Sequence, residues 1–309
     1  MTPTLQKRVP ALAFRAKVLS AMRRTFEAQG FLETDTPCAI QAPAAEEYIE
    51  APSAGDFFLR TSPELEMKRL LCAGMEAIYQ IGSCFRSGEN GRIHRSEFSM
   101  LEFYHAHWDY LQLLDFLRNA ICQVAMEVNG TTVLQYRGNT IDLAQEWEII
   151  SVRDAFNRYA PMSADKAAEE ESRFEILLTE CVEPNLPKDR ASVLIDYPIR
   201  FGAFARAKAS DPTLAERWEI YIGGVEIANA YGELTDPVIQ SSRFRQFAET
   251  RAKHQLAEYP QPVDFLHDLQ CGMPASAGAA LGFDRLVMLL YGAESLEEIA
   301  FPLFPITEE

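Results

Sequence analysis

No stretch of this sequence approaches the roughly 18 consecutive apolar residues that a membrane-spanning helix requires. Its first residues, MTPTLQKRVPALAF, lack the apolar core and small-residue cleavage site of a secretory leader. The expectation is a chain that is neither inserted nor exported and works in the cytoplasm. The 6 cysteines, at 38, 72, 84, 122, 181 and 271, contain no C-x-x-C pair, which argues against structural zinc. They lie mostly in apolar stretches and read as reduced core residues. Positive charge is in deficit: 29 Lys and Arg stand against 45 Asp and Glu, a net of −16. That argues against a broad phosphate-backbone footprint, which relies on clustered cations. A local patch remains, Lys7, Arg8, Arg15, Lys17, Arg23 and Arg24, readable as a solvated helix face or a docking surface. No internal repeat, low-complexity tract or flexible linker interrupts the 309 residues, a length sufficient for a large single core.

What is present is a run of strongly patterned segments. Leu12, Arg15, Leu19, Met22 and Phe26 recur at helical spacing over 10–29 and end at Gly30. Thr36-Pro37 forces an extended or turning backbone. PELEMKRLLCAG, 63–74, reads as a short helix entered through Pro63. AIYQIGSCFR and EFSMLEFYHAH alternate as strands, and 109–128 reads as a helix. Residues 138–200 mix acidic helical segments with proline turns and resemble an insertion. ERWEIYIGGVEIANAYGEL is a hairpin turning at Gly223-Gly224, followed by a helix over 236–257. SAGAALGFDRLVMLLYG gives a small-residue strand, a glycine break and an apolar helix.

Three of these segments carry chemistry. In FRSGENGRIHRSEFSMLEFY, 85–104, Arg86 closes one strand, a polar loop follows, and Glu102 and Tyr104 share a face of the next. Carboxylate and phenol at one end, with cations at the other, suit a ligand that is an ammonium at one end and a polyphosphate at the other. In GVEIANAYGEL, Asn229, Tyr231 and Glu233 fall on one face, whereas Glu226 has the opposite parity and joins them only through a bulge or a nearby turn. In GAALGFDRL, Gly282 precedes a helix whose first turn bears Arg285, an arrangement that favours an anion. Two further features have bland readings: His105 and His107 lack an evident third metal ligand, and Trp108, Tyr110 and Phe116 read as core packing.

Taken in order, GFLETDTPCAI, FRSGENGRIHRSEFSMLEFY and GAALGFDRLVML resemble the three signature motifs of class II aminoacyl-tRNA synthetases. TSPELEMKRLL, the EF-x-MLE-x-Y strand and GG-x-EIAN-x-Y-x-EL are similar to the lysyl subgroup. The first motif begins near residue 30, so the expectation is a chain without the anticodon-binding barrel of lysyl-tRNA synthetases, and CVEPNLPKDRASVLIDYP resembles the family of elongation factor P (R)-β-lysine ligases. The resemblance implies an α+β fold, a single catalytic domain over 1–309 with a mostly antiparallel sheet flanked by helices and a helical insertion near 138–200. It implies a homodimer, ATP and Mg2+ as cofactors, (R)-β-lysine or lysine as substrate and elongation factor P as acceptor, with tRNA disfavoured.

By the same resemblance Arg86 and Arg285 hold the α- and γ-phosphates, and Glu226, with Glu219, coordinates magnesium. Glu89, His94, Phe98, Ile227 and Gly282 meet the nucleotide. Ser62, Glu64, Glu102, Tyr104 and Glu233 surround the ammonium groups of the amino acid, Asn229 and Tyr231 its carboxylate, and Ala280 the pocket floor, where tRNA-charging relatives carry glycine. Truncated tRNA-charging enzymes and a catalytically silent amino-acid-binding paralogue are the alternatives. Three departures from the pattern stand out: Gly88 replaces an acid, Arg95 an amide, and Ala230-Tyr231 the usual Gly-Phe.

Overall fold

A computed structural model of the chain describes residues 3–302 apart from 45 and 47. Helix α1 runs Pro3–Ala28 and starts earlier than the periodicity alone suggests. It passes through Pro10, whose missing N–H ordinarily argues for a boundary. The central sheet is built from β1 (Leu32–Glu33), β2 (Ala77–Phe85), β3 (Glu97–Ala106), β4 (Glu148–Ser151), β5 (Ala191–Pro198), β6 (Ala207–Lys208), β7 (Asp211–Ile222), β8 (Val225–Gly232) and β9 (Ser276–Gly282). Their order is β1-β2-β3-β9-β8-β7-β5-β4, with β6 paired to β7. Only the β1–β2 and β4–β5 pairs are parallel; the rest of the path is antiparallel.

Local chemistry explains the connections. The β7–β8 turn is made by Gly223 and Gly224, both at positive φ, the backbone state that tight hairpins require and glycine takes without a Cβ clash. Helix α2 (Glu64–Cys72) precedes β2, and α3 (Tyr110–Asn129) follows β3. Asp109 caps α3 by accepting from the amides of Leu111 and Gln112, and Gly130 ends it in the left-handed conformation. Later come α4 (Pro237–Lys253), α5 (Val263–Cys271) and α6 (Phe283–Tyr291).

Strand alternation divides the sheet into two faces. Leu101, Phe103, Ala230, Ala277, Ala279 and Leu281 join the main core with Val18, Met22 and Phe26 of α1, Leu113 and Leu117 of α3, and Leu286 and Val287 of α6. Phe116 belongs there too, stacked on Phe31, so the aromatic cluster near Trp108 is packing. His105 stacks on Trp108 with ring centroids 3.9 Å apart. A second core joins Leu65, Met67 and Leu71 of α2 with Phe244 of α4 and Phe265 of α5. The insertion expected over 138–200 is narrower in its helical part: β4 and β5 lie inside that range and extend the main sheet. The helices between them pack around Phe156 and Phe174 as a third cluster.

Candidate functional site

The opposite face of the sheet carries a cleft of about 350 Å³. Two cross-strand rungs form its floor. Glu102 of β3 lies opposite Ala280 of β9, Ala280 opposite Asn229 of β8, and Asn229 opposite Glu219 of β7. The next rung runs Tyr104, Gly278, Tyr231 and Arg217 in the same order. Long polar side chains thus flank a central strand reduced to alanine and glycine, which leaves room above β9. At Gly278 the need is strict: a Cβ there would come within 2.5 Å of Glu233 Oε1 and closer still to Tyr104 Cε1. Glu226 reaches the cleft because the β7–β8 register slips there, Ile220 pairing with Ala228 but Tyr221 with Glu226. This is the bulge that its parity requires.

One end of the cleft is acidic. Glu102 is buried and accepts from the Tyr104 hydroxyl and, at 2.8 Å, from Ser62 Oγ. Ser62 Oγ in turn accepts from the Glu64 amide at 3.0 Å. Glu64 and Glu233 meet on a residue that sequence reasoning missed: Lys68 Nζ is 2.5 Å from Glu64 Oε1 and 2.5 Å from Glu233 Oε2. Burial, added to by the charge of Glu64, raises the Glu102 carboxyl to about 8 and that of Glu233 to about 7, although Lys68 lowers both. Burial works against the Lys68 ammonium, but Glu233 and Glu64 hold its pKa above the usual lysine range. Asn229 Nδ2 donates to Tyr231 Oη at 2.9 Å, so the hydroxyl that replaces the usual phenylalanine orients the amide. Asn229 Oδ1 and Arg217 Nε are buried without a protein hydrogen-bond partner, the state of groups that await a ligand or water.

The other end is cationic. Arg86 stands 3.7 Å from Glu89 and over the Phe98 ring, and its Nε is also buried without a partner. Gly88 takes positive φ, so the departure from an acid at that position supplies a turn residue. Arg285 Nη1 donates to the Glu226 carbonyl at 2.9 Å and lies 3.2 Å from Glu226 Oε2; Nη2 is 2.8 Å from His94 Nε2. Burial, with Arg285 alongside, lowers the His94 pKa, so the ring is a neutral partner near pH 7. Arg95 bonds the Phe301 carbonyl at 2.7 Å, tying the loop to the chain's later part. At Gly282 a Cβ would meet nothing nearer than Arg285 Cδ at 3.4 Å. Asp284, beside Arg285, is held by Arg15 at 2.6 Å and by the Ser99 amide at 2.8 Å.

The basic patch on α1 is therefore largely consumed within the fold. Arg15 serves Asp284, Arg23 pairs with Glu33 at 2.9 Å, Arg24 pairs with Glu127, and Arg8 bonds the Ala300 carbonyl at 3.1 Å. The acids given to magnesium by resemblance both line the cleft. Glu219 Oε2 accepts from Tyr197 and Tyr221 hydroxyls at 2.7 and 2.6 Å, while Oε1 has one bond, from Arg217. Glu226 is partly exposed, with one oxygen near Arg285. Each thus keeps carboxylate lone pairs for a hard cation that takes its other ligands from phosphate and water. Among the described residues no group of three or more His, Cys, Asp or Glu is placed to enclose a metal by itself.

All the residues named by resemblance line this one cleft, joined by Glu46, Arg217, Gly278 and Asp284, which sequence reasoning left out. Glu46 sits in the stretch between Ala44 and Ala51, and burial raises its carboxyl to about 6. The missed residues had a signal in part: Arg217 shares parity with Glu219 on β7, and Gly278 with Ala280 on β9.

Over residues 4–308 the chain matches the family described as tRNA synthetases class II (D, K and N). A lysine–tRNA ligase of Pelotomaculum thermopropionicum is 35% identical, the alignment covering 94% of this chain and 62% of that one. For a lysine–tRNA ligase of Moorella thermoacetica the identity is 34%, over 96% of this chain and 65% of the relative. The chain thus spans less than two thirds of the length of these two ligases. An elongation factor P–(R)-β-lysine ligase of Yersinia enterocolitica is 35% identical over 94% of both chains. With its antiparallel sheet, its arginine-flanked cleft and a match along nearly its whole length, this chain belongs to the class II tRNA synthetase family of the D, K and N type.

Proposed function

We propose that the protein activates a lysine-like diamino acid, (R)-β-lysine or lysine, as an aminoacyl adenylate at the expense of ATP and passes it to a lysine of elongation factor P. The observation that carries this reading is the polarity of the cleft: Glu64, Glu102 and Glu233 at one end, Arg86 and Arg285 at the other, with Asn229 between them. Two ammonium groups suit the first end and a polyphosphate the second. Arg86 and Arg285 hold and neutralise phosphate oxygens, and Asn229 and Tyr231 orient the carboxylate that attacks the α-phosphorus and displaces pyrophosphate. No side chain acts as a nucleophile, so positioning and charge carry the catalysis. Glu226 and Glu219 would hold Mg2+, which supplies further neutralisation of phosphate charge. In the second step the ε-amine of the acceptor lysine attacks the activated carbonyl and AMP leaves.

Ala280 supports the β-amino isomer, because its methyl group stands on the floor between Glu102 and Asn229, where it displaces an α-ammonium and leaves space for a shifted one. The relative from Yersinia enterocolitica, alike over 94% of both chains, supports elongation factor P as the acceptor. The reading carries with it a cytoplasmic site of action and a homodimer through the first-motif segment, where Leu32 of β1 is 57% exposed at the sheet edge. The test is amino-acid-dependent pyrophosphate–ATP exchange across lysine isomers, followed by intact-mass measurement of elongation factor P. Exchange with (R)-β-lysine and a matching mass increase are expected. Aminoacylated tRNA with no mass change on elongation factor P would overturn the acceptor assignment, and absence of exchange with every isomer would overturn the activation reading.

A further inference from the structure

Lys68 has no role in the reading above, yet it lies in contact with two of the residues that the reading gives to substrate. It is 1% exposed, a state lysine adopts almost only when paired. Glu64 precedes it by one helical turn on α2, and Glu233 follows β8, so Nζ bridges two distant elements at 2.5 Å each. The Phe204 and Tyr104 rings stand 5.0 and 6.0 Å from Nζ, which adds cation–π attraction and closes the space behind it. We propose that Lys68 is a specificity-determining positioning residue: a built-in ammonium that fills the place between Glu64 and Glu233 and so limits the acid pocket to ligands carrying two further ammonium groups.

Glu64, Glu102 and Glu233 bring three carboxyls to this end of the cleft. Glu102 and Glu233, raised to about 8 and 7 in the ligand-free chain, release their protons beside bound ammonium groups, so three negative charges meet the ligand and Lys68 returns one. Glu102 has hydroxyl partners, Tyr104 and Ser62, and no ion pair among the described residues, the charge of Lys68 reaching it only from a distance. The remaining cations of the cleft are engaged elsewhere: Arg217 with Glu219 at 2.5 Å, Arg86 with Glu89 and Arg285 with Glu226. Glu46, a further carboxyl of the cleft that burial raises, is opposed most strongly by Arg86, so an excess of two is left at the acidic end, which matches a diamino monocarboxylic acid. A monoamino acid of the same shape leaves one buried carboxylate without a counter-charge, a costly state in a dry site. The raised carboxyls agree in direction, since Lys68 opposes the burial that lifts Glu102 and Glu233; without it both rise further.

The inference rests on the amino-acid-activating reading, and the experiment separates the two. If the wild-type protein supports no amino-acid-dependent exchange, that reading fails and Lys68 is not in question. If it does, Lys68→Met is expected to raise the amino acid KM at least tenfold while the ATP KM stays within twofold, and to move the acid limb of kcat/KM for the amino acid to higher pH. A merely structural lysine would not move that limb. The balanced pair is the sharper test: Lys68→Met/Glu233→Gln restores an excess of two, whereas Glu233→Gln alone leaves one. The pair should bind the diamino acid at least fivefold more tightly than Glu233→Gln, and this comparison stands even where Lys68→Met alone does not fold. A pair that binds more weakly than Glu233→Gln, or a folded Lys68→Met with unchanged KM and pH limb, overturns the proposal.

Discussion

Gly278→Ala is the substitution for which the geometry is most demanding. The added Cβ would stand 2.5 Å from Glu233 Oε1 and nearer to Tyr104 Cε1, whereas comfortable heavy-atom contacts lie at about 3.5–4.0 Å. Both neighbours must therefore retreat by about 1 Å or more. Neither can do so freely: Tyr104 donates to Glu102 and Glu233 is held by Lys68. Overpacking costs about 1–3 kcal/mol, and leaving the buried Glu102 carboxyl without its Tyr104 partner costs about 1.5–3 kcal/mol. If only the second cost appears in amino acid binding, the KM rises roughly 10- to 150-fold, since each ~1.4 kcal/mol is a factor of ten. The ATP KM should stay within threefold, because Arg86 and Arg285 line the other end of the cleft. Pyrophosphate exchange with each substrate varied in turn measures both. Gly282→Ala is the contrast: its Cβ meets only Arg285 Cδ at 3.4 Å, so the fold tolerates it and the loss should fall on ATP. An amino acid KM within twofold of wild type in Gly278→Ala would refute the placement of Tyr104 and Glu233 over β9.

Three other outcomes are expected. Arg86→Ala and Arg285→Ala should each lower exchange at least tenfold, because each removes positive charge from a developing phosphoryl transition state; near wild-type exchange in both would discard the phosphate assignment. Arg15→Met strips Asp284 of its cation, and with Arg15 side chain 22% exposed the loss is about 2 kcal/mol, below the 3–5 of a fully buried pair. Calorimetry should show a melting point roughly 3 °C lower, with slower exchange because Asp284 adjoins Arg285; unchanged values in both would make the pair a surface contact. The Glu102 and Glu233 carboxyls, raised to about 8 and 7, bind protons in the folded chain that the unfolded chain has released. Their contribution to stability is complete below the unfolded carboxyl range and is lost as pH rises through 7 to 8. The ligand-free protein should therefore melt at a lower temperature at pH 8.5 than at pH 6, with a smaller fall in Glu102→Gln; an equal fall in both would remove Glu102 as a source.

Most of the sheet was legible because its strands state their own rules. Glu102 and Tyr104 alternate with Leu101 and Phe103, so one face had to be core and the other polar, and the Gly223-Gly224 turn announced a hairpin. What period and turn chemistry do not encode is membership in a distant sheet. Residues 138–200 have helical and proline-rich stretches, yet β5 inside that span pairs with β7, and β4 with β5, between residues far apart in sequence. Pro10 hid the beginning of α1 for a related reason: a local rule against proline in helices was overridden in the longer helix.

The limits at the site follow from how charges choose partners. Lys68 on α2, one turn after Glu64 and next to Arg69, looks like half of an exposed i,i+4 pair. Arg15 likewise belongs by its spacing to a basic stripe suited to docking. Each acquires a different meaning from one tertiary contact, Glu233 for Lys68 and Asp284 for Arg15. Such contacts reverse the sign of an inference about partners: a stripe that has given Arg15, Arg23 and Arg24 to Asp284, Glu33 and Glu127 has little net field left to offer an acceptor. Charge reversal at Arg15 then disturbs Asp284 and the cleft it lines before it disturbs docking. On α1 the cations without an ion pair among the described residues are Lys7, Arg8 and Lys17, Arg8 bonding the Ala300 carbonyl, so charge reversal at these positions, and not at Arg15, is what tests a docking role for the stripe.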